Sequence, residues 1–157
     1  MTTNIILMFA ILTYSGIVSQ ALMYILALRK VQLSLDVTSY IELRKLIDAN
    51  MRAKFKYFVY GALLSNLLLV IATVREPGSL LFIAAAVGFL ALIADMLLIL
   101  KGNMPINNTI NTWSADSYPT NWTEYREKWL NVYRYRQIFT ITGFVSLVIG
   151  AVFRGGW

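Results

Sequence analysis

Four long apolar runs decide what this chain can fold into. They cover about 5–28, 57–74, 80–100 and 136–153, with Arg136 standing at the mouth of the last. A helix needs roughly 20 apolar residues to cross about 30 Å of hydrocarbon. In lipid, only a helix or a closed barrel satisfies its own backbone. The runs therefore predict an all-α protein: an antiparallel bundle of four transmembrane helices in one integral membrane domain spanning 1–157. Composition agrees, since charged residues are only 14% of the chain, against about 25% in soluble domains.

Orientation follows from charge. Seven basic residues lie between the first two spans (Arg29, Lys30, Arg44, Lys45, Arg52, Lys54, Lys56) and five between the last two (Lys101, Arg126, Lys128, Arg134, Arg136). The other side carries Arg75 and Arg154. The positive-inside rule then places both long loops in the cytoplasm and both termini outside. The expected location is an inner membrane of bacterial type. The net charge of +6 is explained by a basic rim at anionic headgroups, so no nucleic-acid partner is expected. The first run has no basic residue before it and is too long for a cleaved signal core.

The loops carry their own signals. Arg75-Glu76-Pro77-Gly78-Ser79 predicts a tight turn between the second and third spans. Ser39 and Glu42 fit a capping box. From about Tyr40, the recurrence of Tyr40, Leu43, Ile47, Met51 and Phe55 predicts an amphipathic helix running into the second span. Its polar side, with Arg44, Lys45, Asp48 and Arg52, is expected at the membrane interface. The last loop, 101–135, holds Trp113, Trp122 and Trp129, whose indoles suit interfacial anchoring. Asn121 or Thr123 could cap a short helix with Trp129 and Tyr133 on one side.

Three spans each hold one polar intruder: Gln20, Asn66 and Asp95. Polar groups at such depth are costly and face a bundle interior. At about 1.5 Å rise per residue they sit roughly 12, 14 and 8 Å in from the cytoplasmic side, where Arg136 also enters. A bundle would bring the four within reach of each other, either as interhelical bonds or as a cytoplasm-facing pocket for an apolar small molecule. Helical spacing draws four stripes of small residues around these groups: Thr13, Gly16, Gln20, Tyr24; Val59, Ala62, Asn66, Leu69, Thr73; Ala84, Gly88, Ala91, Asp95; and Arg136, Thr140, Gly143, Leu147, Gly150. Small residues allow close helix approach in lipid, so these stripes are the expected packing faces.

The absence of Cys and His excludes disulfides, thiolate or imidazole metal sites and the common nucleophilic triads. No cofactor and no metal are expected. One segment has a further character. Asn103-Met104-Pro105-Ile106-Asn107 directly follows a span, Trp113 comes next, and Trp129 precedes Arg136 by seven residues at the entrance to the last span. Over about 96–153 this resembles a large, mostly uncharacterised family of four-span membrane proteins that includes the fungal anthrone oxygenases. The family pattern is Asn-x-Pro-x-Asn, a Trp, and a Trp-to-Arg spacing of seven. Elsewhere only the number and spacing of spans agree. The resemblance implies cofactor-independent oxidation of polycyclic anthrones by oxygen in the characterised members. Many members carry His where this chain has Arg134, so no step that needs that imidazole is carried over. In the motif, Pro105 is expected to stop the third helix, with the Asn103 and Asn107 amides satisfying its freed carbonyls.

Two classes of function follow. One is non-enzymatic: a ligand- or lipid-binding protein, or an accessory subunit of a membrane complex, with Ala84-Ala85-Ala86 and Gly88 left over for partner chains or a second copy. The other is a cofactor-independent oxygenase acting on an apolar aromatic. Asp95 is then the candidate catalytic base, with Arg136, Gln20 or Asn66 holding the oxyanion. A channel with Asp95 in an oligomeric ring is a third arrangement.

Overall fold

The computed structural model describes residues 1–153; Arg154, part of the charge count above, lies outside them. Four long helices form the chain: α1 Thr2–Ser34, α2 Val37–Thr73, α3 Leu80–Asn111 and α4 Trp122–Phe153. All four are long and apolar enough to cross a membrane. The first three each contain one π-helical turn, at Tyr24–Leu28, Met51–Phe55 and Ile99–Asn103.

The connections explain why the helices begin where they do. Between α1 and α2 only Leu35 and Asp36 intervene. Asp36, not Ser39, caps α2: its carboxylate accepts the Ser39 backbone N–H at 3.0 Å and the Ser39 hydroxyl at 2.7 Å. An aspartate at this position satisfies an orphan donor and also suits the positive end of the helix. The turn after α2 closes through Glu76 N–H to Thr73 O and Ser79 N–H to Glu76 O. Ser79 then caps α3 by accepting the Phe82 N–H. The helix expected after 121 is no short loop helix but the start of α4 itself, with Asn121 donating to the Glu124 carboxylate.

The helices form a closed ring, with α3 on α4 and α1 on α2 as the larger contacts and α2–α3 and α1–α4 completing it. Neighbours run antiparallel. Thr13 of α1 meets Ser65 of α2 at 3.1 Å, whereas Gly16 lies against Phe58. Three of the four small-residue stripes are the buried faces: Ala62, Asn66, Leu69, Thr73 on α2; Ala84, Gly88, Ala91, Asp95 on α3; Arg136, Thr140, Gly143, Leu147, Gly150 on α4. The α1 stripe is displaced. Its core face is Leu7, Ala10, Tyr14, Ile17 and Ala21, because the large Tyr14 ring fills the bundle centre and donates to Gly88 O at 3.4 Å. Ala84, Ala85 and Gly88 are consumed inside the bundle, so they are not free for partner contacts.

The α3–α4 seam is the tightest. A β-carbon at Gly143 would fall 2.9 Å from that of Ala91 and against the Tyr14 hydroxyl. At Gly78, by contrast, nothing lies within 4 Å. Overpacking typically costs about 1–3 kcal/mol. Gly143→Val should therefore lower the melting temperature clearly and Gly78→Ala should not; equal melting curves would mean the seam is loose. A second test concerns the cap. The Ser39 N–H bond, and then the Ser39 hydroxyl, hold the Asp36 carboxyl below its ordinary range. A carboxylate with a lowered folded pKa stabilises above its unfolded pKa, and that share is lost as pH falls through the folded value. Wild type should be more stable than Asp36→Ala at neutral pH, with the gap closing in acid below the normal aspartate range.

Candidate functional site

The motif that follows the third apolar run does not end its helix. Pro105 lacks the N–H that would bond the Lys101 carbonyl, and its ring would crowd that carbonyl. The π turn at Ile99–Asn103 immediately precedes it, with Met104 N–H bonded to Ile99 O, and α3 continues to Asn111. Local π geometry is a known way to accommodate such a residue without breaking the helix. The Asn amides consequently reach other helices instead of their own carbonyls. Asn103 donates to Trp129 O at 3.0 Å, and its carbonyl oxygen accepts from Arg136 at 3.2 Å. Asn107 donates to Asp48 at 2.8 Å and accepts from Arg44 at 2.7 Å.

These contacts build one wall of a cavity of about 210 Å³ at the end of the bundle where α1 joins α2 and α3 joins α4. Every helix contributes, and residues from all three π turns line it: Tyr24; Met51, Arg52 and Phe55; Ile99, Leu100 and Asn103. π turns re-aim side chains and recur at functional sites. Gln20, Asn103, Asn107, Trp129 and Arg136, all singled out in the sequence, line the cavity together. Much of the remaining lining is apolar, including Ile47, Val59, Met96 and Met104.

The polar wall is a chain of alternating charges and amides. Arg44 donates to Asn107, Asn107 to Asp48, and Arg52 to Asp48 at 2.8 Å; Asn111 also donates to Asp48. Arg44 and Asp48 are buried, and they belong to the face that amphipathicity assigned to the interface. That face is turned inward because α2 packs its first half on the amide-rich end of α3. Their i,i+4 spacing, facing the motif asparagines, is the signal that could have found them. Arg44 also lies 3.8 Å over the Trp129 ring. Trp129 stacks on Tyr133 at 5.0 Å, and Tyr24 packs on Tyr133 at 4.3 Å. Trp129 and Trp113 are thus buried within the protein, not surface anchors. Trp113 belongs to a separate cluster with Tyr40, Ile41 and Ile110, and its carbonyl accepts from Lys45.

The expected four-residue polar cluster is divided. Asp95 and Arg136 form a buried ion pair at 2.7 Å, and Arg136 presents the rest of its surface to the cavity. Asp95 itself does not line the cavity. Gln20 donates to Met51 Sδ at 3.4 Å. Asn66 stands apart, deeper in the bundle: its amide donates to Ala62 O of its own helix, and its oxygen faces Gly88. The separation arises because Asn66 lies beyond Tyr60, the last α2 residue on the cavity wall, by more than one turn.

Charge in the cavity is unbalanced. Arg44, Arg52, Lys56 and Arg136 line it, against Asp48, with Asp95 behind Arg136. Arg44 makes no ion pair among the described residues. Its Nε and the Trp129 indole N–H are buried without a partner among the described residues, as are polar atoms of Gln32, Tyr40, Asn66 and Arg126. Groups of that kind are rare in folded proteins and call for an explanation. No cluster of three or more potential metal ligands occurs among the described residues.

Removing the Asp95 carboxylate alone should cost about 3–5 kcal/mol, since it strands a buried guanidinium. Asp95→Leu combined with Arg136→Met should recover most of that loss in thermal unfolding. A single variant as stable as wild type would show that the pair is solvated. Comparison with family models, with curated proteins and with solved structures finds no match for this chain.

Proposed function

We propose that this chain is an integral membrane protein that binds a small, mostly apolar molecule bearing an anionic or electron-rich oxygen. The membrane reading is supported by large apolar side chains that stand exposed along all four helices, such as Leu12, Leu64, Leu90 and Val152. A surface of that kind is out of place in water and suits lipid. The distribution of basic residues supports a cytoplasmic position for the cavity end, with both termini on the far side.

One observation carries the binding reading. A largely apolar cavity is lined by the Arg44 guanidinium, which has no carboxylate partner among the described residues and lies against the Trp129 face. A ligand oxygen would supply the counter-charge for Arg44, and the aromatic and Met walls would hold its apolar body. The volume of about 210 Å³ falls below the ~300 Å³ usual for drug-sized ligands, so the occupant is small.

Binding without chemistry fits these walls better than oxygenation. Asp95, the base that oxygenation would need, is held by Arg136 behind the wall. The carboxylate that does line the cavity, Asp48, is engaged by Arg52, Asn107 and Asn111. Arg134, at the position where many members of the resembled family carry His, lines a lateral groove instead of the cavity.

The test is ligand-induced stabilisation in mild detergent, comparing 1-naphthoate with the neutral 1-naphthalenemethanol. Binding to the native state raises stability in proportion to affinity. Wild type should favour the carboxylate by roughly tenfold or more, the worth of one charge-assisted bond, and Arg44→Gln should erase the preference. Equal shifts for both compounds in wild type would sink the anion-site reading. Native mass spectrometry of gently extracted protein addresses the accessory-subunit alternative: stoichiometric partner chains without a bound small molecule would favour it.

A further inference from the structure

A second hollow of about 360 Å³ lies between α1 and α4, lined by Tyr24, Ile25, Arg29, Leu130, Tyr133, Arg134 and Gln137. Its floor is aromatic and aliphatic, and an arginine from each helix lines it. Most arginines at this end of the bundle are already engaged. Arg44 donates to Tyr24 and Asn107, Arg52 to Asp48 and Asn108, Arg126 to the Gln32 and Leu35 carbonyls, and Arg136 to Asp95 and Asn103. Arg29 and Arg134 are the exceptions. Both are exposed, neither has a hydrogen bond or ion pair with the described residues, and no acid lines the groove.

We propose that this groove is a second binding site, specific for a phosphate or carboxylate group held between Arg29 and Arg134. Guanidinium forks on two neighbouring helices suit a tetrahedral or planar oxyanion. Basic pockets between membrane helices at the cytoplasmic level are places where anionic headgroups bind. Gln137 donates to Ala21 O at 3.2 Å and ties the two helices together beside the groove, so the arginines flank a held gap. Exposed Ile25 at the edge suits the chain of an anionic lipid, and a free anion would use the same forks. Tyr24 and Tyr133 also line the inner cavity, so the two sites share a wall. The inference uses the membrane reading for the groove's depth and does not depend on what the inner cavity binds.

The experiment is native mass spectrometry of the whole protein in mild detergent with equal amounts of phosphatidylglycerol and phosphatidylcholine. Wild type should retain phosphatidylglycerol over phosphatidylcholine, one per chain. Arg29→Gln/Arg134→Gln should lose that retention by about tenfold, from two charge-assisted contacts. Lys54→Gln/Lys101→Gln removes the same charge away from the groove and should retain it. Displacement of the lipid by millimolar inorganic phosphate would identify a soluble anion as an occupant too; resistance to phosphate would identify the lipid headgroup. Equal retention of both lipids by wild type, or equal loss in the two double variants, would overturn the proposal. Alkaline washing of vesicles carrying wild type tests the membrane reading separately, since a chain released there would fail that reading alone.

Discussion

The bundle depends on one crossing, where the Arg136 guanidinium of α4 meets Asp95 and Asn103 of α3. As a source of stability the ion pair is nearly neutral, because burying two charges costs about what their attraction returns. Its consequence is register. The α3–α4 seam below it is built from Ala84, Gly88 and Ala91 against Gly143, Leu147 and Gly150, with almost no space at the glycines. A slide of one residue along such a seam would drive a side chain into backbone, and it would also strand the arginine. Electrostatics and close packing therefore select the same alignment. Asn103, held in that alignment, grips the Trp129 carbonyl and so sets the aromatic wall of the cavity.

The cavity itself follows from three π turns at one level of the bundle. Each adds a residue to a helical turn, which rotates everything beyond it by about 100°. Below that level the helices show each other small residues and close up. At that level they show Tyr24, Met51, Phe55, Ile99 and Asn103, and the bundle opens. In α3 the cause is visible in Pro105. In α1 and α2 no proline marks the turn, and we have no local physical account of why it falls there.

This explains which parts of the molecule were legible in the sequence. Helical spacing found the buried faces of α2 beyond Lys56, of α3 before Ile99 and of α4, regular helical segments whose small residues do mark the seam. It also brought Asp95 within reach of Arg136, which enters the bundle from the same side. It misassigned the first half of α2, expecting Arg44 and Asp48 at the membrane interface because charge is usually outside the core. The partners that make their burial tolerable are amides 60 residues away in sequence, and no local pattern records them. Tyr14 was missed for another reason: a large residue on a span reads as lipid-facing when small ones are taken to mark the seam, yet one ring can fill the centre that four small faces leave open. The Asn-x-Pro-x-Asn motif was legible as structurally important and misread in detail, since a proline that cannot continue a regular helix can still follow a π turn.

The arginines at this end of the bundle divide by what neutralises them. Arg136 and Arg52 face carboxylates, and Arg126 faces backbone carbonyls near Trp122, stacked 4.6 Å over its ring. The first two are charge-balanced without a ligand, whereas the Arg126 Nε is left without a partner among the described residues. Among the described residues Arg44 has only neutral acceptors and a ring, and Arg29 and Arg134 have no acceptor. The positive-inside rule accounts for a basic rim in general, but rim residues can snorkel to water at little cost. It does not account for a guanidinium buried like Arg44. Such a charge suits the ligand proposed for this cavity, and the walls around it match that proposal: a molecule that is small, largely apolar, and negative or electron-rich at one end.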